Sequence, residues 1–410
     1  MNKIFTPLLA LLPFALSAQT VVADSVILGN NYNDKAFYSL SNGLQGTVPN
    51  DNWDLQFASS GPLTSTIRLN GGFNVAAWLY TAGDTANWAT LDTAGLGTGT
   101  GWQRIYDAVN SYDPGAFEST ETGFPNYGWG NYVMGTNNVV GNKVYVVRTL
   151  NGSFKKVWIE ILRATTQTFE LRVADLDGSN ETNMVVDRSA TTNKNFLYLN
   201  LNSGTVLNNE PARGSYELVF EKYEGFLPAS STYYPVSGVR FAFGIEGVRV
   251  AGVDVDDVVY TDYTMGTDIV SIGHDWKTFA GGWSLADSTS FLIETANEDV
   301  YQIWFTGFTG ASTGIFRFNK RLLGNLSNEN ISEVVSQLEV YPNPTSNILN
   351  VQVGETDGQV FIVDLSGRIV RQANLNSGKT QIDVRGLTPG MYVVRGFAAG
   401  APFSSKVMVH

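Results

Sequence analysis

The chain has 410 residues, a formal net charge of −12 and no cysteine. Hydrophobic residues make up 43% and aromatic residues 12%, which allows a large packed core and excludes a disordered chain. The missing thiols exclude disulfides, thiolate catalysis, cysteine zinc sites and iron–sulfur clusters. The acidic balance disfavours nucleic acid and anionic membrane surfaces as partners.

The chain opens on a short basic start, Met1-Asn2-Lys3, followed by an apolar run over 4–16 and the small residues Ser17-Ala18-Gln19. This pattern predicts a secretory signal peptide over 1–19, too short and wrongly flanked for a membrane span. No later stretch is long and apolar enough to span a bilayer, so no transmembrane segment is expected.

A β-rich body is expected over 20–324. Its first part reads as a meander of short antiparallel strands, including Trp53-Asp54-Leu55-Gln56-Phe57, where Trp53, Leu55 and Phe57 alternate on one face. Residues 83–130 are less regular, rich in Gly turns and in aromatics such as Trp88, Trp102, Tyr112 and Trp129. Such a segment is either a binding loop or a flap anchored by its rings, and residues 103–110 read as a helical turn or two. Strands resume at 143–150, Asn151-Gly152 signals a hairpin, and residues 301–308 and 314–318 read as a closing hairpin. Trp53–Phe57 and Tyr216-Glu217-Leu218-Val219-Phe220 each follow an aromatic strand and a turn. That echo reads as a diverged duplication over about 25–130 and 140–323, or as a chance likeness of two amphipathic hairpins. A polar linker with a brief helix is expected over 325–337.

Residues 338–410 begin Leu338-Glu339-Val340-Tyr341-Pro342-Asn343-Pro344 and continue as short alternating segments at 348–353, 359–365, 380–384 and 391–396. Gly and Pro turns separate them, which predicts a small C-terminal β-sandwich. With the body as a large antiparallel β-sheet structure, the expected fold class is all-β. This tail is near +1 by its side chains, which leaves the body near −14 once the signal is removed.

The tail resembles the C-terminal sorting domain of cargo of the Bacteroidetes type IX secretion system. The resemblance lies in Tyr341-Pro342-Asn343-Pro344, the turn at 364–368, Gly390-Met391-Tyr392-Val393-Val394 and the terminal Lys406-Val407-Met408-Val409-His410. It implies the type IX secretion machinery as a partner, and export followed by release or attachment at the cell surface. The body resembles the HmuY-type haemophore family, on Trp53–Phe57 with Ile67-Arg68-Leu69-Asn70, on Tyr216–Phe220, on Tyr234-Pro235-Val236-Ser237-Gly238-Val239 and on Ile272-Gly273-His274-Asp275-Trp276-Lys277.

That resemblance implies a secreted or surface protein that captures haem or another porphyrin. The chain has two histidines, and His410 ends the tail, so a pair of histidines within the body is excluded. Thioethers also bind iron, which makes Met134, Met265 and His274 the candidate axial ligands; the more ordinary reading is a gap-filling core Met for the first two and a hydrogen-bonded structural His for the third. Asp175, Asp177 and Asn180 supply oxygen ligands around Gly178, readable as a calcium loop or as a hairpin turn whose side chains bond the backbone. No nucleophile elbow, metalloprotease helix, P-loop or dinucleotide fingerprint is present, so no enzyme is expected. The readings that remain are a haem or porphyrin binder, a non-catalytic adhesin or structural protein for glycans or protein partners, and a glycan hydrolase working with two carboxylates.

Overall fold

Runs that alternate apolar and polar residues form strands almost throughout, and they assemble into antiparallel sheets, so the chain is all-β. The structure is a computed structural model that describes residues 20–59, 64–191, 193–325, 339–353, 358–364, 369–375, 378–398 and 401–410. The expected signal peptide, the tail turn at 365–368 and the expected linker beyond Asn325 lie outside the described residues. The chain divides into two compact units, one within 1–296 and 301–322, the other formed by 297–300 and 323–410.

The first unit contains two β-sandwiches, nested in sequence. One packs a five-stranded sheet (Val22–Ile27, Ile315–Asn325, Asp299–Phe308, Thr289–Glu294, Glu246–Ala251) on a four-stranded sheet (Thr232–Phe241, Leu218–Leu227, Asp34–Ser39, Gly43–Pro49). Its core includes Val26, Tyr38, Phe220, Phe291 and Phe318. The other packs the long sheet around Phe154–Arg163, Tyr145–Arg148, Ala76–Tyr80 and Trp102–Ile105 on a second four-stranded sheet (Val206–Leu207, Phe196–Leu199, Leu55–Ala58, Ile67–Leu69). Leu55, Phe57, Trp129, Tyr145 and Phe169 belong to that core. Burying a large apolar side chain of this kind stabilises by about 1.5–3 kcal/mol relative to exposure, which is how a chain without disulfides is held.

Strand pairing joins residues far apart in sequence: Val22 lies opposite Lys320, Phe37 opposite Val219, and Phe57 opposite Leu197. The two echoing segments therefore pair with each other, Asp34–Ser39 with Leu218–Leu227 and Leu55–Ala58 with Phe196–Leu199. Local signals are realised nearby. Asn151-Gly152 turns the hairpin that sets Arg148 opposite Phe154, with Gly152 at φ 85°. Gly141 is required for a close approach, because a Cβ there would lie 1.7 Å from the Ile159 carbonyl oxygen.

Two local expectations differ. Residues 103–110 begin in the strand Trp102–Ile105, because Trp102 and Ile105 are buried against the strand Ala76–Tyr80. Trp53 does not share a face with Leu55 and Phe57; it precedes the strand, its indole N–H donates to Asn50 Oδ1 at 3.0 Å, and its ring packs on Tyr198. The irregular segment is largely anchored by its aromatics, since Trp88, Trp102, Tyr112, Phe117 and Trp129 are buried while Phe124 is 69% exposed.

The second unit carries the expected small sandwich. Three strands (Glu339–Tyr341, Ile348–Val353, Gly378–Asp383) face four (Ile369–Leu375, Gly358–Val363, Gly390–Ala398, Ala401–Val409) across a core of Leu349, Val351, Ile362, Val394 and Val407. Ile369–Leu375 was not expected as a strand, because its polar residues Arg371, Gln372 and Asn374 mask the alternation.

Candidate functional site

The two four-stranded sheets of the body turn their outer faces toward one another, and strand alternation places charged residues there. On Asp34–Ser39, Ala36 and Tyr38 enter the core, so Lys35 and Phe37 point the other way. The same parity on Leu218–Leu227 sends Leu218 and Phe220 inward and Glu221 outward. Lys35 Nζ lies 3.0 Å from Glu221 Oε2, and Arg240 Nε donates to Glu221 Oε1 at 2.7 Å. The three side chains are 4%, 2% and 9% exposed, so this is a buried ion triad. Burial alone would raise the Glu221 carboxyl, but Arg240 and Lys35 outweigh it and hold it below the ordinary carboxylate range.

Aromatic faces enclose the cations. Lys35 Nζ is 5.2 Å from the Trp53 ring and 5.0 Å from Tyr198, while Arg240 is 5.1 Å from Tyr112 and 5.0 Å from Tyr223. Beside the triad, Glu210 accepts a short hydrogen bond from the Tyr198 hydroxyl and bonds from the backbone N–H groups of Asn195 (3.2 Å) and Phe196 (3.1 Å). Burial lifts Glu210 above its ordinary value against the pull of Lys35. Arg68 donates to the carbonyls of Ser111 and Tyr112, which fixes the loop that carries Tyr112.

Over this network opens a small recess of about 160 Å³. Tyr112, Phe196 and Phe243 supply its aromatic wall, and Thr64, Thr66, Asp113 and Asn195 its polar groups. Tyr112 lies 5.4 Å from Phe196 and 6.4 Å from Phe243, centroid to centroid. The Tyr112 hydroxyl donates to the Phe241 carbonyl at 2.9 Å, and burial pushes its pKa up to about 12, so it stays neutral. Thr66 Oγ1 donates to Asp113 Oδ1 at 2.8 Å, and Asn195 Nδ2 donates to the Tyr216 hydroxyl at 2.8 Å. Phe243 is 52% exposed and forms the open side. Rings with a few fixed polar groups suit an amphipathic ligand bearing hydroxyls.

The residues expected as ligands lie elsewhere, each outside the strands. Met134 follows the strand Gly130–Val133 in a surface turn and is 81% exposed. Met265 is half-buried beside Gly266, which exchanges backbone hydrogen bonds with Gly247 at 2.9 and 3.0 Å. His274 approaches Gly225 of the Leu218–Leu227 strand, and burial with neighbouring Lys277 lowers its pKa. Asp275 does not orient it; both of its carboxylate oxygens are taken by Arg249 at 2.8 Å. None of the three lines the recess, and the one ring hydroxyl there is occupied, so the recess does not fit an axially ligated haem. Asp175, Asp177 and Asn180 sit in the turn between Thr168–Asp175 and Thr182–Asp187. Asp175 pairs with Lys155 at 2.6 Å, Asn180 turns its amide nitrogen onto Asp175, and Asp177 accepts from Ser179. Among the described residues, no three His, Asp or Glu side chains form a group that could hold a metal ion.

The sequence reading missed Lys35, Glu221, Arg240 and Phe243. A signal existed for Arg240, which stands between the core residues Val239 and Phe241; Lys35 and Glu221 each border a core residue on one side only, with Asp34 and Lys222 on the other. Phe243 carries no such signal, being one more ring in an aromatic-rich chain.

Residues 339–410 match the secretion system C-terminal sorting domain family. That domain marks the chain as cargo of the type IX secretion system, exported to the cell surface or the extracellular space. No curated protein matches the chain. Among solved structures, it is similar to PorZ of Porphyromonas gingivalis, titled an essential bacterial surface component of the type-IX secretion system, at 12% identity and a TM-score of 0.17. The match covers 75% of this chain and 50% of that one, so the chain spans half the length of that structure. Neither finding extends to the haemophore resemblance of the body. No helix among the described residues is long and apolar enough to cross a membrane.

Proposed function

We propose that this protein is a non-catalytic binding protein delivered outside the cell by its sorting domain, and that its body takes a small hydroxyl-bearing ligand, of saccharide type, in the Tyr112–Phe196–Phe243 recess. The observation that carries the proposal is the recess itself: the exposed Phe243 at its mouth, the buried Tyr112 and Phe196 behind it, and Asp113, Thr66 and Asn195 already oriented by their own hydrogen bonds. Groups held in place before binding lose little entropy when a ligand arrives. Binding rather than turnover is favoured because the recess is lined by one carboxylate, Asp113, which accepts from Thr66, while those beneath it are committed, Glu221 to two cations and Glu210 to a hydroxyl and two backbone N–H groups. A glycosidase needs one carboxylic acid and one carboxylate facing the scissile bond, and that pair is not supported here. Haem capture rests on the family resemblance alone.

The test is a thermal-shift screen of the exported protein against a library of neutral mono- and oligosaccharides. A ligand that binds only the folded state stabilises it by RT ln(1 + [L]/Kd), about 2.7 kcal/mol at a hundredfold excess over Kd. A concentration-dependent rise in melting temperature supports the reading. A library that leaves the transition unmoved, while haemin moves it, would replace it with porphyrin capture.

A further inference from the structure

The segment that follows the strand Trp102–Ile105 runs along Ile67–Leu69, the edge strand of its four-stranded sheet. Ile67 and Leu69 turn their side chains into the core, and among the described residues no further strand pairs with their outer N–H groups. Carboxylates take those groups instead. The Leu69 N–H donates to Asp107 Oδ2 at 3.2 Å, and the Ile67 N–H donates to Glu118 Oε2 at 3.1 Å. Between these two points Asp113 accepts from Thr66, and Arg68 reaches the carbonyls of Ala108, Ser111 and Tyr112. The segment is a strap with polar fastenings, and it brings Tyr112 and Asp113 to the recess. Its ends are fixed by packing, through the buried Ile105 on one side and Ala116 and Phe117 on the other.

The fastening at Glu118 depends on a proton. Glu118 is 1% exposed; Oε2 takes the Ile67 N–H, and Oε1 has no hydrogen-bond partner among the described residues. A buried carboxylate is held by a cation or by several donors, and here there is one donor. The charged groups beside it, Asp113 and Asp107, are both acids. Arg68 points to the other face of the edge strand, gives its donors to the strap carbonyls and faces Asp107 at 3.8 Å. From the long sheet Tyr145 presents a hydroxyl that also has no partner, and burial keeps it neutral. The surroundings therefore favour the neutral acid: burial, with Asp113 adding to it and the Ile67 bond opposing it, holds the Glu118 carboxyl well above the ordinary carboxylate range. Losing that proton sets two anions side by side, and Asp113, which is exposed, is the one free to move toward solvent.

We propose that Glu118 is a positioning residue for the recess: its neutral form fastens the strap to the edge strand, and loss of its proton releases the middle of the strap, drawing Tyr112 and Asp113 from the recess wall and weakening binding there as pH rises. The effect on binding rests on the recess being the ligand site; the release of the strap does not. A carboxyl raised in the closed form fastens fully below its ordinary pKa and loosens as pH climbs through the raised value.

The test is amide hydrogen exchange of the full exported chain from about pH 5 to 9, with rates corrected for the intrinsic pH dependence of exchange, in wild type and Glu118→Gln. Gln keeps an oxygen for the Ile67 N–H and does not ionise. In wild type, protection over 106–116 and at the Ile67 amide should fall by about tenfold or more, while the strand Phe154–Arg163 changes much less; in Glu118→Gln the profile should be flat. Glu118→Ala, which removes the acceptor, should leave the strap poorly protected at every pH. Over the same range, affinity for the neutral oligosaccharide with the largest thermal shift should weaken about tenfold or more in wild type and hold in Glu118→Gln. Wild-type protection that is independent of pH, that falls equally in Glu118→Gln, or that falls equally in Phe154–Arg163 would overturn the proposal, and the wild-type profile decides even where a variant does not fold. Release of the strap as expected, in a protein that binds no saccharide, would uphold the strap and overturn the recess as the ligand site.

Discussion

Replacing Glu221 by Gln keeps the side-chain volume but leaves Lys35 and Arg240 as two buried cations without their anion. At 3.0 Å the Lys35–Glu221 attraction is about 5 kcal/mol for an effective dielectric near 20. Desolvation of the carboxylate offsets part of this, so the expected loss is about 3–5 kcal/mol, the cost of breaking a buried pair from one side. An exposed ion pair would lose ~1 kcal/mol or less. Urea unfolding followed by tryptophan fluorescence reads the body alone, since all nine tryptophans lie between Trp53 and Trp304. With a denaturant slope of roughly 3 kcal/mol/M, the midpoint should fall by roughly 1 M or more. Lys35→Met, Glu221→Leu and Arg240→Met combined should recover most of the loss, because apolar residues of similar volume replace a buried triad at little cost. A midpoint lowered by less than roughly 0.3 M in Glu221→Gln would refute the view that the triad is dry and mutually dependent.

Other expectations are narrower. Burial holds Glu224 at about 7 in the folded chain, above its unfolded value, despite the pull of Arg104. Stability from its neutral form is therefore complete below the unfolded pKa and is lost as pH rises through about 7. Relative to Glu224→Gln, the wild type should lose about 3 kcal/mol between pH 4.5 and 8 in urea titrations; parallel profiles would contradict this. Gly141→Ala drives a Cβ onto the Ile159 carbonyl and should cost about 1–3 kcal/mol in the same assay. Met134→Ala changes an 81% exposed side chain and should leave stability within ~0.5 kcal/mol. It should also leave the Soret response to haemin unaltered, and a saturable shift lost in this variant would restore Met134 as an iron ligand.

Local chemistry made much of the fold readable. Asn151-Gly152 announced its hairpin, the tail's alternation announced its sandwich, and apolar runs marked most strands. What stayed hidden is non-local. Nothing in a period of two says that Val22 will pair with Lys320, or that one sandwich will be nested inside the other. The triad shares that origin: Lys35 is brought to Glu221 and Arg240 only when the distant strand Asp34–Ser39 pairs with the hairpin that carries the other two. Met134 drew attention because its flanking Gly and aromatic residues resemble a pocket wall, yet in a hairpin turn the same residues leave its thioether in solvent.

The central claim is that the body binds through the recess, and Phe243 tests it most directly because it is exposed and supports little of the core. The decisive measurement is calorimetric titration of wild type and Phe243→Ala with the neutral oligosaccharide that gives the largest thermal shift. A ring buried against a ligand is worth about 1.5–3 kcal/mol, so the variant should bind roughly 10- to 150-fold more weakly with an unchanged melting temperature. Equal affinity in the two proteins would place the ligand elsewhere and contradict the account.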